Sequence, residues 1–223
     1  METWRVELHA HTIYSRDCLV TPEQIVAACR RKGIHRIVVT DHNTIAGAVR
    51  ARELAPAMVI VGEEIMTTQG ELLAFFVEEE VPPGLSPQET IARLRAQGAV
   101  ISVSHPYDRL RKGAWREEDL LTIIEQVDAL EVFNARCIFP SDNARALAIA
   151  QRYDRLQTVG SDAHTTRELG QALVEIPPFN GPESFKAALA QARFHTRLSS
   201  PFIHFASTYA KWVKRLGIGY GIR

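Results

Sequence analysis

Residues 36–43, Arg36-Ile37-Val38-Val39-Thr40-Asp41-His42-Asn43, carry the pattern that decides the fold: a β-branched apolar run that stops abruptly at groups able to bind a metal ion. Such a run has strand composition, and the switch to Asp-His-Asn marks its C-terminal end. The pattern recurs on both sides. Upstream, a predicted strand at Arg5–His9 runs into His9-Ala10-His11. Downstream, Met58–Gly62 runs into Glu63-Glu64, Ala99–Ser104 into His105, and Gln157–Gly160 into Ser161-Asp162-Ala163-His164. Further strands are expected at Leu72–Val77, Ala129–Phe133 and Ala172–Ile176.

Helical segments fill the intervals. Thr21-Pro22-Glu23 opens one with an N-cap, a proline and an acidic first turn, and Gly33 stops it. Ser86-Pro87-Gln88-Glu89 opens a second that ends at Gly98, and Asp119–Gln126, Asp142–Tyr153 and Glu183–Ala192 follow. Strand–helix alternation of this kind builds an α/β domain on a largely parallel sheet, either open or closed into a barrel.

Composition agrees with one soluble domain. The chain has 223 residues, 46% apolar and 23% charged, which excludes disorder, collagen-like repetition and a disulfide mini-protein. Its 26 basic and 26 acidic residues cancel, so the whole molecule has no net pull on nucleic acid or membrane. The charge is unevenly placed: residues 1–183 carry −7 and the last 40 carry +7. Cys18, Cys29 and Cys137 form no CxxC pair and read as reduced thiols of a cytoplasmic protein. The N-terminus lacks the apolar core of a signal peptide, and no run approaches the ~18 apolar residues of a membrane span.

The chemistry gathers at strand ends. Five of the eight histidines (His9, His11, His42, His105 and His164) sit at or just past a predicted strand terminus, accompanied by Asp17, Asp41, Glu63, Glu64 and Asp162. The C-terminal edge of a parallel sheet is where α/β proteins place ligands. Residues two apart in an extended segment face the same way, so His9 and His11 address one point, as do Asp162 and His164. Neighbours face oppositely, which makes His42 the ligand and Asp41 an orienting residue behind the ligands, and forces a choice between Glu63 and Glu64. Imidazole mixed with carboxylate and no thiolate suits Zn, Mn or Fe. About eight candidates exceed the needs of one ion, so two to three divalent ions are expected. Clustered ions are the equipment of phosphoester hydrolysis.

These residues resemble the PHP (polymerase and histidinol phosphatase) domain family. The resemblance runs in order through His9-Ala10-His11-Thr12, Ser15-Arg16-Asp17, Thr40-Asp41-His42-Asn43, Gly62-Glu63-Glu64-Ile65, Ser104-His105-Pro106, Glu131-Val132-Phe133-Asn134 and Gly160-Ser161-Asp162-Ala163-His164. It implies a distorted seven-stranded β/α barrel over residues 1–198, a short basic extension over 199–223, and up to three metal ions. By the same resemblance His9, His11, Glu64 and Asp162 form the first site, with Glu64 bridging to a second that includes His105, and Asp17, His42 and His164 form the third. Glu71 stands where many members carry histidine and is the remaining second-site candidate. The activity implied is hydrolysis of phosphate esters by a hydroxide bridging the first two ions, with the catalytic burden on His9, His11, Glu64 and Asp162. A small phosphomonoester is favoured over a nucleotide or oligonucleotide substrate, and the intact ligand set argues against an inert, metal-stabilised domain that serves a partner.

Arg16, Arg109 and Arg136 are candidate phosphate contacts, and Asn134 is expected beside the substrate. His35, His195 and His204 match no motif and are expected at the surface or in loops. In the tail, Tyr209, Trp212, Val213 and Leu216 recur at helical spacing and predict an amphipathic helix. It is expected to dock on the barrel, its basic residues facing the acidic body, in preference to contacting nucleic acid or a partner.

Overall fold

The computed structural model describes residues 2–217, in which the chain forms nine strands and seven helices. Hydrogen bonding orders the sheet β7-β6-β5-β4-β3-β2-β1-β8-β9. The strands are β1 (Trp4–Glu7), β2 (Arg36–Val39), β3 (Val59–Met66), β4 (Glu71–Phe75), β5 (Val100–Val103), β6 (Ala129–Asn134), β7 (Leu156–Gly160), β8 (Ala172–Ile176) and β9 (Arg193–Thr196). The seven-stranded, largely parallel expectation is corrected on two counts. There are nine strands, and only half of the pairings are parallel: β1–β2, β2–β3, β5–β6 and β6–β7.

The reversal at β4 has a local cause. Only Thr67–Gly70 separates β3 from β4, too short for the crossover that parallel strands require. Thr67 closes this turn, its N–H and Oγ1 both donating to the Gly70 carbonyl at 3.0 and 2.6 Å. Because β4 runs backwards, its first residue, Glu71, lies at the edge where the parallel strands end.

Past their last residues β1 and β7 meet. Ala10 and Ala163 form a parallel bridge, and the His11 N–H donates to the Ala163 carbonyl at 2.9 Å. The Thr40 N–H donates to the Ala10 carbonyl on the other side at 2.8 Å. The sheet therefore curls into a nearly closed barrel, with β8 and β9 paired antiparallel beyond β1.

The helices are α1 (Pro22–Lys32), α2 (Ala46–Leu54), α3 (Pro87–Ala96), α4 (Glu117–Ile123), α5 (Pro140–Arg152), α6 (Pro182–Leu189) and α7 (Ile203–Arg215). Thr21 and Gln24 form the capping box that starts α1, and Gly33, at φ +63°, ends it. Helix α2 was not anticipated, because Ile45 at its N-cap makes no side-chain cap bond. Among the described residues no helix is long and apolar enough to cross a membrane. The three cysteines are free and buried; the Cys18 thiol donates to the carbonyls of His11 and His164, a structural role.

Candidate metal centre

His9 and His11 leave the end of β1 with their rings aimed at one point. His9 donates from Nδ1 to Glu131 Oε1 (2.9 Å), and His11 from Nδ1 to Ser15 Oγ (3.1 Å). Ser15 can accept because its own hydroxyl proton goes to Asp41 Oδ1 at 2.7 Å. Both Nδ1 atoms are thereby spent, and the two Nε2 atoms face each other 3.1 Å apart. That is the spacing of neighbouring ligands on one ion with bonds of about 2.1 Å.

The remaining ligand candidates gather round this pair. Asp162 Oδ1 lies 3.2 Å from His11 Nε2 and 3.7 Å from His9 Nε2, and Glu64 lies 3.5 Å from His11 Nε2 and 3.4 Å from His9 Nε2. Next to it, His105 Nε2 sits 3.1 Å from Glu64 Oε1 and 3.5 Å from Glu71 Oε2. A third grouping places Asp17 Oδ1 3.3 Å from His164 Nε2 and 3.6 Å from His42 Nε2. His42 Nδ1 turns back to Glu64 Oε2 at 2.8 Å. All nine expected ligand positions are brought together, with Glu64 at the centre.

The backbone is bent to do this. Asp162 and His105 adopt φ +50° and +20°, and Asn43, just after His42, adopts +56°. Left-handed conformations at non-glycine residues are costly and cluster at functional sites. The His42–Glu64 bridge extends the β2–β3 pairing into the cluster.

Electrostatics favour a cation at this point. Burial opposes charging His9, yet the carboxylates of Glu64, Glu131 and Asp162 outweigh it and raise its pKa well above the ordinary value. Burial, with the nearby His164 and His42, pushes His11 well below. Burial also opposes ionisation of Glu64 and Asp162, but His9 and His42 hold the former, and Arg111 and His9 the latter, well below the usual carboxylate range. The surrounding carboxylates thus favour a positive charge at the His9–His11 pair. Asp17 Oδ1, Glu64 Oε2 and Asp162 Oδ1 are buried, and although an imidazole nitrogen lies beside each, none aims an N–H at the oxygen. Unpartnered buried carboxylate oxygens are expensive, and divalent ions would satisfy all three. The donor set of imidazole and carboxylate fits Zn, Mn or Fe.

Residues 7–159 match the PHP domain family and residues 140–194 the PHP-associated (PHP_C) family. The chain belongs to the PHP domain family. A relative in Methanocaldococcus jannaschii is 34% identical over 180 residues, covering 79% of this chain and 72% of that one. A protein of Escherichia fergusonii named "Probable phosphatase YcdX" is 28% identical over 246 residues, 90% of this chain and 98% of that one. Among solved structures, a two-domain Bacteroides vulgatus protein containing a predicted PHP-like metal-dependent phosphoesterase superposes with a TM-score of 0.72 at 18% identity. That match covers 94% of this chain and 70% of the other, and shows a shared fold.

Around the PHP centre the other expected residues divide. Asn134 is buried and donates to Glu131 Oε2 (3.1 Å) and Asp162 Oδ2 (3.3 Å), so it braces the carboxylates. Arg136 is buried as well: it packs its guanidinium against His164 Nδ1, donates to Ser207 Oγ at 2.8 Å and lies 3.5 Å from Glu168. Arg109 turns away, its side chain 61% exposed and paired with Asp142. Arg16 is exposed beside Asp17. Asp41 stands behind His11, accepting from the Ser15 hydroxyl that holds the His11 ring. Glu63 faces out of the cluster and accepts from the Val81 N–H at 3.0 Å. His35 accepts from the Arg5 N–H, and His195 pairs with Glu175 at 2.8 Å.

Two residues take roles in the centre that the sequence does not assign them. Glu131 fixes His9 and also accepts from the His105 N–H at 2.8 Å. Its signal was a lone carboxylate inside an apolar strand, which has to be partnered when buried. Arg111 forms the ion pair with Asp162 Oδ2. Nothing in the sequence separates it from Arg109 and Lys112; the loop conformation decides.

Proposed function

We propose that this PHP-domain chain hydrolyses phosphate esters, small phosphomonoesters foremost, using two to three divalent ions of Mn, Zn or Fe. The observation that carries the reading is the convergence of His9 Nε2 and His11 Nε2 on one point beside unsatisfied carboxylate oxygens of Glu64 and Asp162, with a third on Asp17 in the neighbouring grouping. The YcdX relative, by its name a phosphatase, supports it. Bound ions would supply an activated water and neutralise charge on the phosphoryl group.

The protein's own residues have separate tasks in this scheme. His9, His11, Glu64 and Asp162 would hold the ions nearest the attack, with Glu131 and Ser15 fixing the two imidazole tautomers. Glu71 and His105 would complete the second grouping, and Asp17, His42 and His164 the third. His42 is the most open of the five histidines in the centre, its side chain 14% exposed, and marks the side from which substrate would enter. Arg111 holds a cation at the far end of the carboxylates, and Arg16 stands at the open rim.

The test is a reconstituted enzyme assayed on p-nitrophenyl phosphate, nucleoside monophosphates and bis(p-nitrophenyl) phosphate. Monoesters should turn over faster than the diester, because a dianionic phosphate offers one more charged oxygen to the ions. Chelation should abolish turnover. Protein that holds two ions per chain and cleaves none of these esters would overturn the proposal.

A further inference from the structure

Helix α7 lies outside both family matches, yet three of its side chains reach the rim of the metal centre. Ser207 Oγ accepts from Arg136 Nη2 at 2.8 Å. Lys214 donates to the carbonyls of Ile13 and Ser15, in the loop that carries Asp17. Lys211 Nζ stands 3.3 Å from Asp17 Oδ2. The two oxygens of Asp17 therefore look in different directions, Oδ1 toward His164 and His42, and Oδ2 toward Lys211. The Lys211 side chain is 51% exposed, which puts its ammonium at the boundary between the cluster and solvent.

We propose that Lys211 is a substrate-binding residue, a cation that the C-terminal helix adds to the PHP centre to receive the phosphate group. The inference rests on the phosphate-ester reading above and assigns one of its contacts. An ammonium has three donors, and among the described residues Asp17 is the one charged partner of Lys211. A phosphate bound at the grouping of Asp17, His42 and His164 sits one carboxylate away from it. Arg111, on Asp162, is a second cation of the same centre. Lysine serves phosphate as a point charge and needs no bidentate geometry. Lys214 and Ser207 already hold α7 in place, so ordering Lys211 costs little when substrate arrives.

Two other roles compete with this one. A half-exposed ion pair that only decorates the surface contributes almost nothing. A lysine that only props Asp17 would act through metal retention. The full-length, metal-loaded protein separates these roles when inorganic phosphate binding is followed by calorimetry, metal content by elemental analysis, and kcat and KM on p-nitrophenyl phosphate.

Lys211→Met should weaken phosphate binding about tenfold and raise KM by a similar factor, with kcat within about threefold and metal content unchanged. Lys211→Arg should recover most of the loss. Arg215→Met, which removes an exposed cation from the same helix, should match wild type. Unchanged phosphate affinity in Lys211→Met, no phosphate binding by the wild type, loss of metal, or an equal effect of Arg215→Met would each overturn the assignment. If no ester is turned over while phosphate still binds in a Lys211-dependent way, the catalytic reading fails and this one stands.

Discussion

The Nε2 atoms of His9 and His11 face each other at 3.1 Å because Glu131 and Ser15 have taken the opposite nitrogen of each ring. A cation must lie between them, and a proton and a metal ion compete for that place.

Metal loading should therefore release protons. His9 is held charged well above its ordinary pKa, so at pH 7 binding has to expel its proton, and metal affinity should climb with pH until that raised pKa is passed. Calorimetric titration of chelator-stripped protein with Zn or Mn, run in buffers of different ionisation enthalpy, should show at least about one proton released per chain. Heats independent of the buffer would contradict this.

Glu131→Gln keeps the size of the side chain but weakens the acceptor that fixes His9. Metal affinity should fall about 10–100-fold, as for other outer-shell partners of metal-bound histidine. Glu63→Gln is the control, since Glu63 accepts from Val81 on the other face of β3 and should leave metal affinity unchanged. Equal losses in the two variants would show that burial in the sheet, and not contact with His9, is what matters.

Glu63 also makes a prediction about pH. Burial pushes its carboxyl up to about 8 from the usual 4.5, so between those values the folded state keeps a proton that the unfolded state has lost. Wild-type stability should thus fall relative to Glu63→Gln as pH rises from 4.5 towards 8, by up to about 5 kcal/mol, and level off above. Denaturant melts of the two proteins at several pH values read this difference directly. A difference that grew as pH fell would refute the sign.

Gly47→Ala sets helix propensity against packing. Alanine gains about 1 kcal/mol inside a helix. Here its Cβ would come within 2.1 Å of Asp41 Oδ2 and 2.2 Å of Thr12 Oγ1, displacing the pair that steadies Ser15 and hence His11. Overpacking of about 1–3 kcal/mol should win, so the melting temperature should drop and metal affinity with it. A more stable variant with intact metal binding would show that the Asp41–Ser15–His11 relay yields without consequence.

Much of the centre could be read in the sequence because strand parity is rigid: His9 with His11, and Asp162 with His164, share a face wherever the chain is extended. The choice between Glu63 and Glu64 needed the family pattern, and the structure explains it by the Val81 N–H that claims Glu63. Strand direction was less legible, since Leu72–Val77 has the same composition read either way, and only the short Thr67–Gly70 link betrays the reversal at β4. Helix α2 hid behind an uncapped start, and β9 is exposed at all of its positions and so shows no burial pattern. Arg109 and Arg111 differ only in how their loop folds. In the tail, helical spacing marked Tyr209, Trp212, Val213 and Leu216 as one stripe, but of these only Val213 is buried. The small residues Ser207 and Ala210 pack beside it, and their size lets α7 come close enough for its lysines to reach the loop of Asp17.

The contact of Lys214 with Ile13 joins residues 201 positions apart. It also fixes an order of events during synthesis. Every ligand candidate has been made by His164, whereas α7 begins at Ile203. At translation rates of about 5–20 residues per second, the ribosome takes roughly 2–8 seconds to cover that interval. Through that interval the chain already holds every ligand candidate but not yet the lysines of α7 that reach the Asp17 loop. The donors thus precede in synthesis the helix that packs against their rim.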